Sequence, residues 1–114
     1  MTSVAHPELP RIIEKYLPRI CVQFLRAKKK HPDFASAWTR RNKVSVKNHL
    51  ADVRQDNDAG ERTGRQYVHN ILTEETLEVM EAALDHDEAA CREELLHVIS
   101  VALRGLEKLD SEGL

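Results

Sequence analysis

From Leu9 onward the apolar side chains fall at Leu9, Ile12, Ile13, Tyr16, Leu17, Ile20, Cys21, Phe24 and Leu25. These spacings draw one continuous stripe along a helical surface and predict a first amphipathic helix. Pro10 suits its first turn, while Pro18 removes an internal hydrogen bond and predicts a kink, although the stripe stays in phase on both sides. Lys28, Lys29 and Lys30 lead into His31-Pro32, a helix stop. Asp33 then reads as the N-cap of a second helix with Phe34, Ala37 and Trp38 on its inner face. Val46, Leu50 and Val53 lie about 120° further round on a continued helix, so a break is expected between Asn42 and Ser45, with Ser45 capping a third helix.

The stretch from Asp56 to Gly64 carries turn formers and two of the four glycines and predicts the main loop. Asp56 and Asp58 resemble the start of a calcium loop, but Gly60 stands where a third ligand belongs and Tyr67 where the closing glutamate belongs. Tyr67, Val68, Ile71 and Leu72 form a short helical patch, and Thr73 followed by Glu74 and Glu75 reads as a fresh start. Leu77, Met80, Ala83 and Leu84 give that helix its core face. Asp85-His86-Asp87 marks a tight connection or a mere bend before a last helix with Cys91, Leu95, Val98, Ile99, Ala102, Leu103 and Leu106 on its apolar positions. No window alternates with period two, so no strand is expected. The expectation is an all-α, single-domain bundle of four to six helices over residues 1–114, kinked at Pro18 and frayed at 1–7 and 111–114.

Composition narrows the class. With 41% hydrophobic, 32% charged and only 4% aromatic residues, the chain is neither disordered nor a membrane protein, and its core must be aliphatic. The longest apolar run, Leu95 to Leu103, is interrupted by His97 and Ser100 and is too short to span a bilayer. The amino-terminal stretch lacks the basic and apolar regions of a secretory signal, which predicts a cytoplasmic location. Cys21 and Cys91 sit among apolar positions without CxxC spacing and are expected as buried free thiols.

Net charge is −2, yet residues 1–54 hold twelve Lys or Arg against four acids, and residues 55–114 hold five against fifteen. The basic concentration is Arg26, Lys28, Lys29, Lys30, Arg40, Arg41, Lys43 and Lys47, with Phe34 and Trp38 between them. Cations beside aromatic rings are what a nucleic-acid surface uses. Placement of Lys28–Lys30 and of Arg40, Arg41 and Lys43 at helix carboxyl ends offers a local alternative, since cations there complement the macrodipole. The acidic concentration is better patterned. Glu74, Glu78, Glu81, Asp85 and Glu88 recur at spacings of four and three, one helix face with no cation between Arg65 and Arg92. That stripe is expected either to meet the chain's own basic half or to dock a basic partner.

The segment from Arg92 to His97 carries two further chemistries. Glu94 and His97 reproduce the ExxH spacing of carboxylate-bridged metal sites in helical bundles, which also require further inward glutamates; with no second ExxH in the chain, no metal or cofactor is expected. Arg92 and His97 also resemble the R-x4-H element of HEPN-type ribonucleases, small helical bundles in which such a pair acts on RNA phosphodiesters. The resemblance covers six residues and departs at Glu93, where that family often has a different polar residue. Phosphate-binding glycine loops, nucleophile elbows and HExxH are absent from the sequence. The leading expectation is thus a non-enzymatic helical module of immunity, antitoxin, inhibitor or adaptor type that binds a basic protein through the acidic face, with homodimerisation also open. Nucleic-acid binding by residues 26–47, and then ribonuclease action by Arg92 and His97, are the alternatives.

Overall fold

The computed structural model describes residues 9–114, and the expected fraying at 1–7 lies outside them. Among the described residues there are four helices and no strand: α1 (Arg11–Lys30), α2 (Lys43–Thr63), α3 (Val68–Leu84) and α4 (Glu88–Glu112). α1 continues through Pro18 as one helix, and α4 stays helical to Glu112. No helix among the described residues is long and apolar enough to cross a membrane.

Three of the four helices make the core. α3 lies between α2 and α4 and uses two faces. Leu77 seals against Val46 and Leu50 of α2, all three essentially without solvent contact, with Val53, Met80 and Leu84 completing the cluster. Val79 and Ala82 pack against Cys91 of α4, flanked by Ala83, Ala90 and Val98. The small residues in this second seam let the two backbones approach closely. Asn57 of α2, buried among these elements, donates through Nδ2 to the Asn70 carbonyl at 3.2 Å and to Glu74 Oε1 at 2.8 Å, which ties α2 to the first half of α3.

The helix ends explain where sequence reading went astray. Residues 31–42 form an irregular connection, not the helix expected from Asp33. Phe34 is 90% exposed and Trp38 61% exposed, so neither belongs to the core. Asn42, not Ser45, caps α2, its side chain accepting from Ser45 N at 2.8 Å. Arg40 and Arg41 therefore precede a helix start, and Lys43 opens α2. Arg41 has its own local role, donating to the Ser45 carbonyl and hydroxyl and lying 3.0 Å from His49 Nδ1.

The expected loop at Asp56–Gly64 is also helical through Thr63. Gly60 does not break the helix; it is where the chain closes on itself. Arg65 N donates to the Gly60 carbonyl at 2.7 Å, and a Cβ on Gly60 would meet the Arg65 carbonyl oxygen at 2.5 Å. Gly64 then ends α2 at φ 71°, the left-handed cap that glycine adopts without strain. Thr73 starts nothing: its hydroxyl donates to the His69 carbonyl inside an unbroken α3.

α1 departs most from expectation. None of its residues is buried, and its stripe is largely open to solvent from Leu17 to Leu25. Its attachment is polar: Lys15 Nζ and Tyr16 OH each donate at 2.7 Å to the Asp110 carboxylate near the end of α4. Cys91 is buried as expected, whereas Cys21 is exposed with the rest of α1.

Truncation of Leu77 to alanine removes the centre of the α2–α3 seam and is expected to cost about 2–5 kcal/mol, against about 1–3 kcal/mol for Asn57→Ala. Urea unfolding followed by circular dichroism measures both; a loss for Leu77→Ala smaller than that for Asn57→Ala would contradict this placement of the core.

Candidate metal centre

Glu75 and Glu78 are three residues apart on α3, and so share a face. Glu94 and His97 have the same spacing on α4. The two pairs meet because the chain reverses within three residues. Asp85 N donates to the Glu81 carbonyl, His86 adopts φ 56°, and Asp87 N returns to the Ala82 carbonyl at 2.9 Å. Asp87 then caps α4, accepting from Ala90 N at 3.1 Å. α4 thus runs back along α3, and one ligating atom from each of Glu75, Glu78, Glu94 and His97 falls within 4.8 Å of the others. Opposite ligands of a magnesium or manganese ion stand about 4.2 Å apart and those of calcium about 5 Å, so rotamer adjustments of a few tenths of an ångström would close this set on a cation.

The electrostatics describe a site with too much negative charge for its surroundings. His97 Nδ1 is 3.1 Å from Glu94 and 3.3 Å from Glu75 Oε2. Glu75 Oε2 is sealed from solvent and receives no hydrogen bond. Burial, together with the Glu94 carboxylate, raises Glu75 above the ordinary carboxyl range. Glu78 is pushed up to about 8, chiefly by burial and by hydrogen bonding to Glu94, against the opposing pull of Arg54. Glu94 is held low despite its own burial, because Glu78 donates to it and His97 adjoins it. His97 is raised, first by its hydrogen bond to Glu94. Glu75, Glu78 and Glu94 share the His97 imidazole and the Arg54 guanidinium, and Glu78 carries the large upward shift.

A groove of about 280 Å³ opens beside this cluster, bounded by Arg54, Glu78, Glu81, Asp85, Asp87 and Glu94. Its other wall explains the acidic stripe. Arg54 Nη2 lies 3.2 Å from Glu78, Lys47 Nζ lies 3.2 Å from Glu81, and Lys43 pairs with Asp85, whose carboxyl it holds below the usual range. Glu74 accepts from Asn57. Glu88, the last member, is highly exposed and 3.5 Å from Arg92 of its own helix. Most of the stripe is therefore engaged by α2, which answers the question its charge pattern raised.

The basic candidates divide. Lys43, Lys47 and Arg41 are drawn into α2 and its partners. Arg26, Lys28, Lys29, Lys30 and Arg40 remain exposed at the end of α1 and in the following connection. Trp38 from that connection flanks a cleft of about 580 Å³ with His86, Cys91, Arg92 and Leu95. Arg92 and His97 face different surroundings: Arg92 pairs with Glu88, and His97 turns into the carboxylate cluster.

Sequence reading found Glu94 and His97 but, with no second ExxH in the chain, expected no metal. Glu75 and Glu78 face that pair in a form other than a second ExxH. Their i, i+3 spacing on the neighbouring helix was the available signal. Comparison with protein-family models, with curated proteins and with solved structures finds no match.

The raised groups give the apo protein a defined pH response. Between about 4.5, the unfolded value for glutamate, and about 8, the folded chain holds a proton on Glu78 that the unfolded chain releases. His97, raised above 6.5, acts in the same direction. Stability conferred by both is present at low pH and is lost as pH rises through this window, whereas the depressed Glu94 and Asp85 act only below it. In chelator, Tm is expected to be higher at pH 5.5 than at pH 8.5, and Glu78→Gln is expected to flatten the difference. An unchanged slope in that variant would contradict the assignment.

Proposed function

We propose that this protein is a divalent-cation-dependent hydrolase of phosphate esters or anhydrides, with Glu75, Glu78, Glu94 and His97 as the cation's ligands. The observation that carries the reading is the convergence of these four side chains around the unfilled, sealed oxygen Glu75 Oε2. A cation held there would take the place of the Glu78 proton and offset the burial and carboxylate crowding that raise Glu75 and Glu78. Three carboxylates and one imidazole are hard to intermediate donors, the set suited to magnesium, manganese or ferrous iron rather than to a thiolate-selected metal.

Two features favour phosphate chemistry. Ions of this kind are held by carboxylates and complete their coordination with substrate phosphate oxygens and water. Arg54 borders the groove beside Glu78, so with Glu78 engaged by a cation its guanidinium would be available in that groove to receive a phosphate. A cation held by Glu75, Glu78, Glu94 and His97 would supply Lewis-acid polarisation of a phosphoryl oxygen and a bound water of lowered pKa.

Manganese titration by calorimetry is expected to show one saturable site whose affinity increases from pH 6 to pH 8 as the Glu78 proton is more easily lost. Glu94→Ala is expected to weaken binding at least tenfold. Release of phosphate or pyrophosphate from nucleotides is expected to require magnesium or manganese, and Arg54→Ala is expected to lower this activity with little effect on metal affinity. Absence of saturable binding would overturn the metal reading; binding without hydrolysis would overturn only the reaction class.

One observation favours a second reading for a different surface. Phe34 and Trp38 are exposed among Lys28, Lys29, Lys30 and Arg40, the cation-and-ring combination that single-stranded nucleic acid uses. Retardation of a labelled oligonucleotide is expected at low salt, weakening steeply with added salt and after Trp38→Ala. No retardation at low salt removes this reading.

A further inference from the structure

We infer that the open apolar face formed by α1 and the outer side of α4 is an interface with a second copy of this chain, in which each α1 lies against the α4 of the other copy. The inference is independent of the metal site, whose ligands Glu94 and His97 occupy a different side of α4.

Among the described residues the two stripes are largely unmatched. α1 presents Leu17, Ile20, Cys21, Phe24 and Leu25 to solvent, with Phe24 65% exposed. α4 turns Cys91, Glu94, Val98, Val101 and Gly105 inward, while Leu95, Ile99, Ala102 and Leu106 make a second apolar stripe further round the helix. Leu95 and Ile99 are exposed. Leu106 lies with Tyr16, Ile20 and Phe24 along a groove of about 490 Å³ between the two helices. Among the described residues α1 is fastened by hydrogen bonds near its beginning, through Lys15, Tyr16 and Asp110, and its later turns are exposed. An isolated helix of this length is marginal in water unless its apolar face is packed, so a stable α1 requires something against that face.

The area to be covered matches a permanent dimer. A compact monomer of 13.0 kDa exposes about 6,300 Å², whereas this chain exposes 9226 Å². The difference is about 2,900 Å², and the exposed Leu17, Ile20, Phe24, Leu25, Leu95 and Ile99 are part of that uncovered surface. Permanent homodimers bury about 2,000–5,000 Å² in total and are more apolar than other interfaces, the kind of contact an open face of this composition supplies. The radius of gyration, 16.5 Å, also exceeds the roughly 13 Å of a compact chain this long.

Charge selects the pairing. α1 carries seven cations and one carboxylate, so two α1 helices laid side by side repel. α4 carries six carboxylates and three cations. Crossing α1 onto the partner's α4 sets unlike charges along the rims of the apolar stripe, as Lys15 and Asp110 already do within one chain. A two-fold axis makes this contact twice, and the interface closes without leaving a face free for further growth.

Sedimentation equilibrium on the purified, metal-free chain tests the proposal. The expected particle mass is twice 13.0 kDa at micromolar concentration. Ile20→Glu combined with Phe24→Glu is expected to halve it with the folded three-helix core retained, as read by the urea transition, because neither side chain contributes to that core. Cys21 is expected to be slow to react with a thiol reagent in the wild-type assembly and at least tenfold faster in the variant. A wild-type monomer overturns the proposal, and so does a dimer that survives the double substitution or leaves Cys21 as reactive as in the variant. None of these readouts depends on cation binding, so failure here and failure of the metal centre are separate results.

Discussion

The register between α3 and α4 governs everything chemical in this protein. Three residues make the reversal, and His86 takes a left-handed conformation that a non-glycine side chain adopts at a cost. In return the chain folds back so tightly that Ala82, Ala83, Ala90 and Cys91 meet at close range. Helices this close place i, i+3 pairs on facing sides within a single coordination sphere. A longer connection or a larger residue in that seam would leave Glu75 and Glu78 as one acidic surface and Glu94 and His97 as another. Charge repulsion between the two pairs opposes the arrangement, and apolar packing on both sides of α3 holds it against that repulsion.

The long-range charge split becomes intelligible once α2 is placed. The basic residues of Lys43–Arg54 lie antiparallel to the acids of Glu78–Asp85 and pair with them in order. Exposed pairs of this kind contribute little energy individually, about 0–1 kcal/mol, but they neutralise a helix face that would otherwise repel itself. Glu75 lies beyond this ladder, and Glu78 stands between Arg54 of α2 and Glu94 of α4. The sequence dipole is therefore met in part inside the molecule, with an acidic cluster at the α3–α4 seam and a separate exposed basic segment around Lys28–Lys30.

Legibility in the sequence followed the type of physical signal. Helical periodicity identified the all-helical class, the inward faces of Leu77 and Cys91, and the tight connection at Asp85–Asp87. Turn-forming composition misled at Asp56–Gly64, because Gly60 serves a close backbone approach inside a helix and only Gly64 ends it. Periodicity misled at Phe34 and Trp38 for the opposite reason: three apolar positions in phase are too few to show that a helix exists, and His31-Pro32 interrupts the chain just before them. At the site, Glu94 and His97 stood out by spacing, whereas Glu75 was absorbed into an expected helix start that the continuous α3 does not contain. Its partners come from the next helix, and only the α3–α4 register reveals them.

α1 illustrates a separate limit. Its stripe is the most regular pattern in the chain, and the pattern correctly specifies one amphipathic helix with a face that avoids water. Periodicity carries no information about what covers that face, since a core and an interface between copies ask for the same residues. Charge does carry some. A helix destined for its own chain's core can keep cations anywhere on its outer side, but seven cations against one carboxylate on α1 disfavour its approach to a like helix and favour an acidic counterpart. α4 is that counterpart: its inward side is used by α3, its carboxylates outnumber its cations, and its outer stripe of Leu95, Ile99 and Leu106 continues the apolar surface. The same helix thus carries Glu94 and His97 on one side and the outer apolar stripe on another.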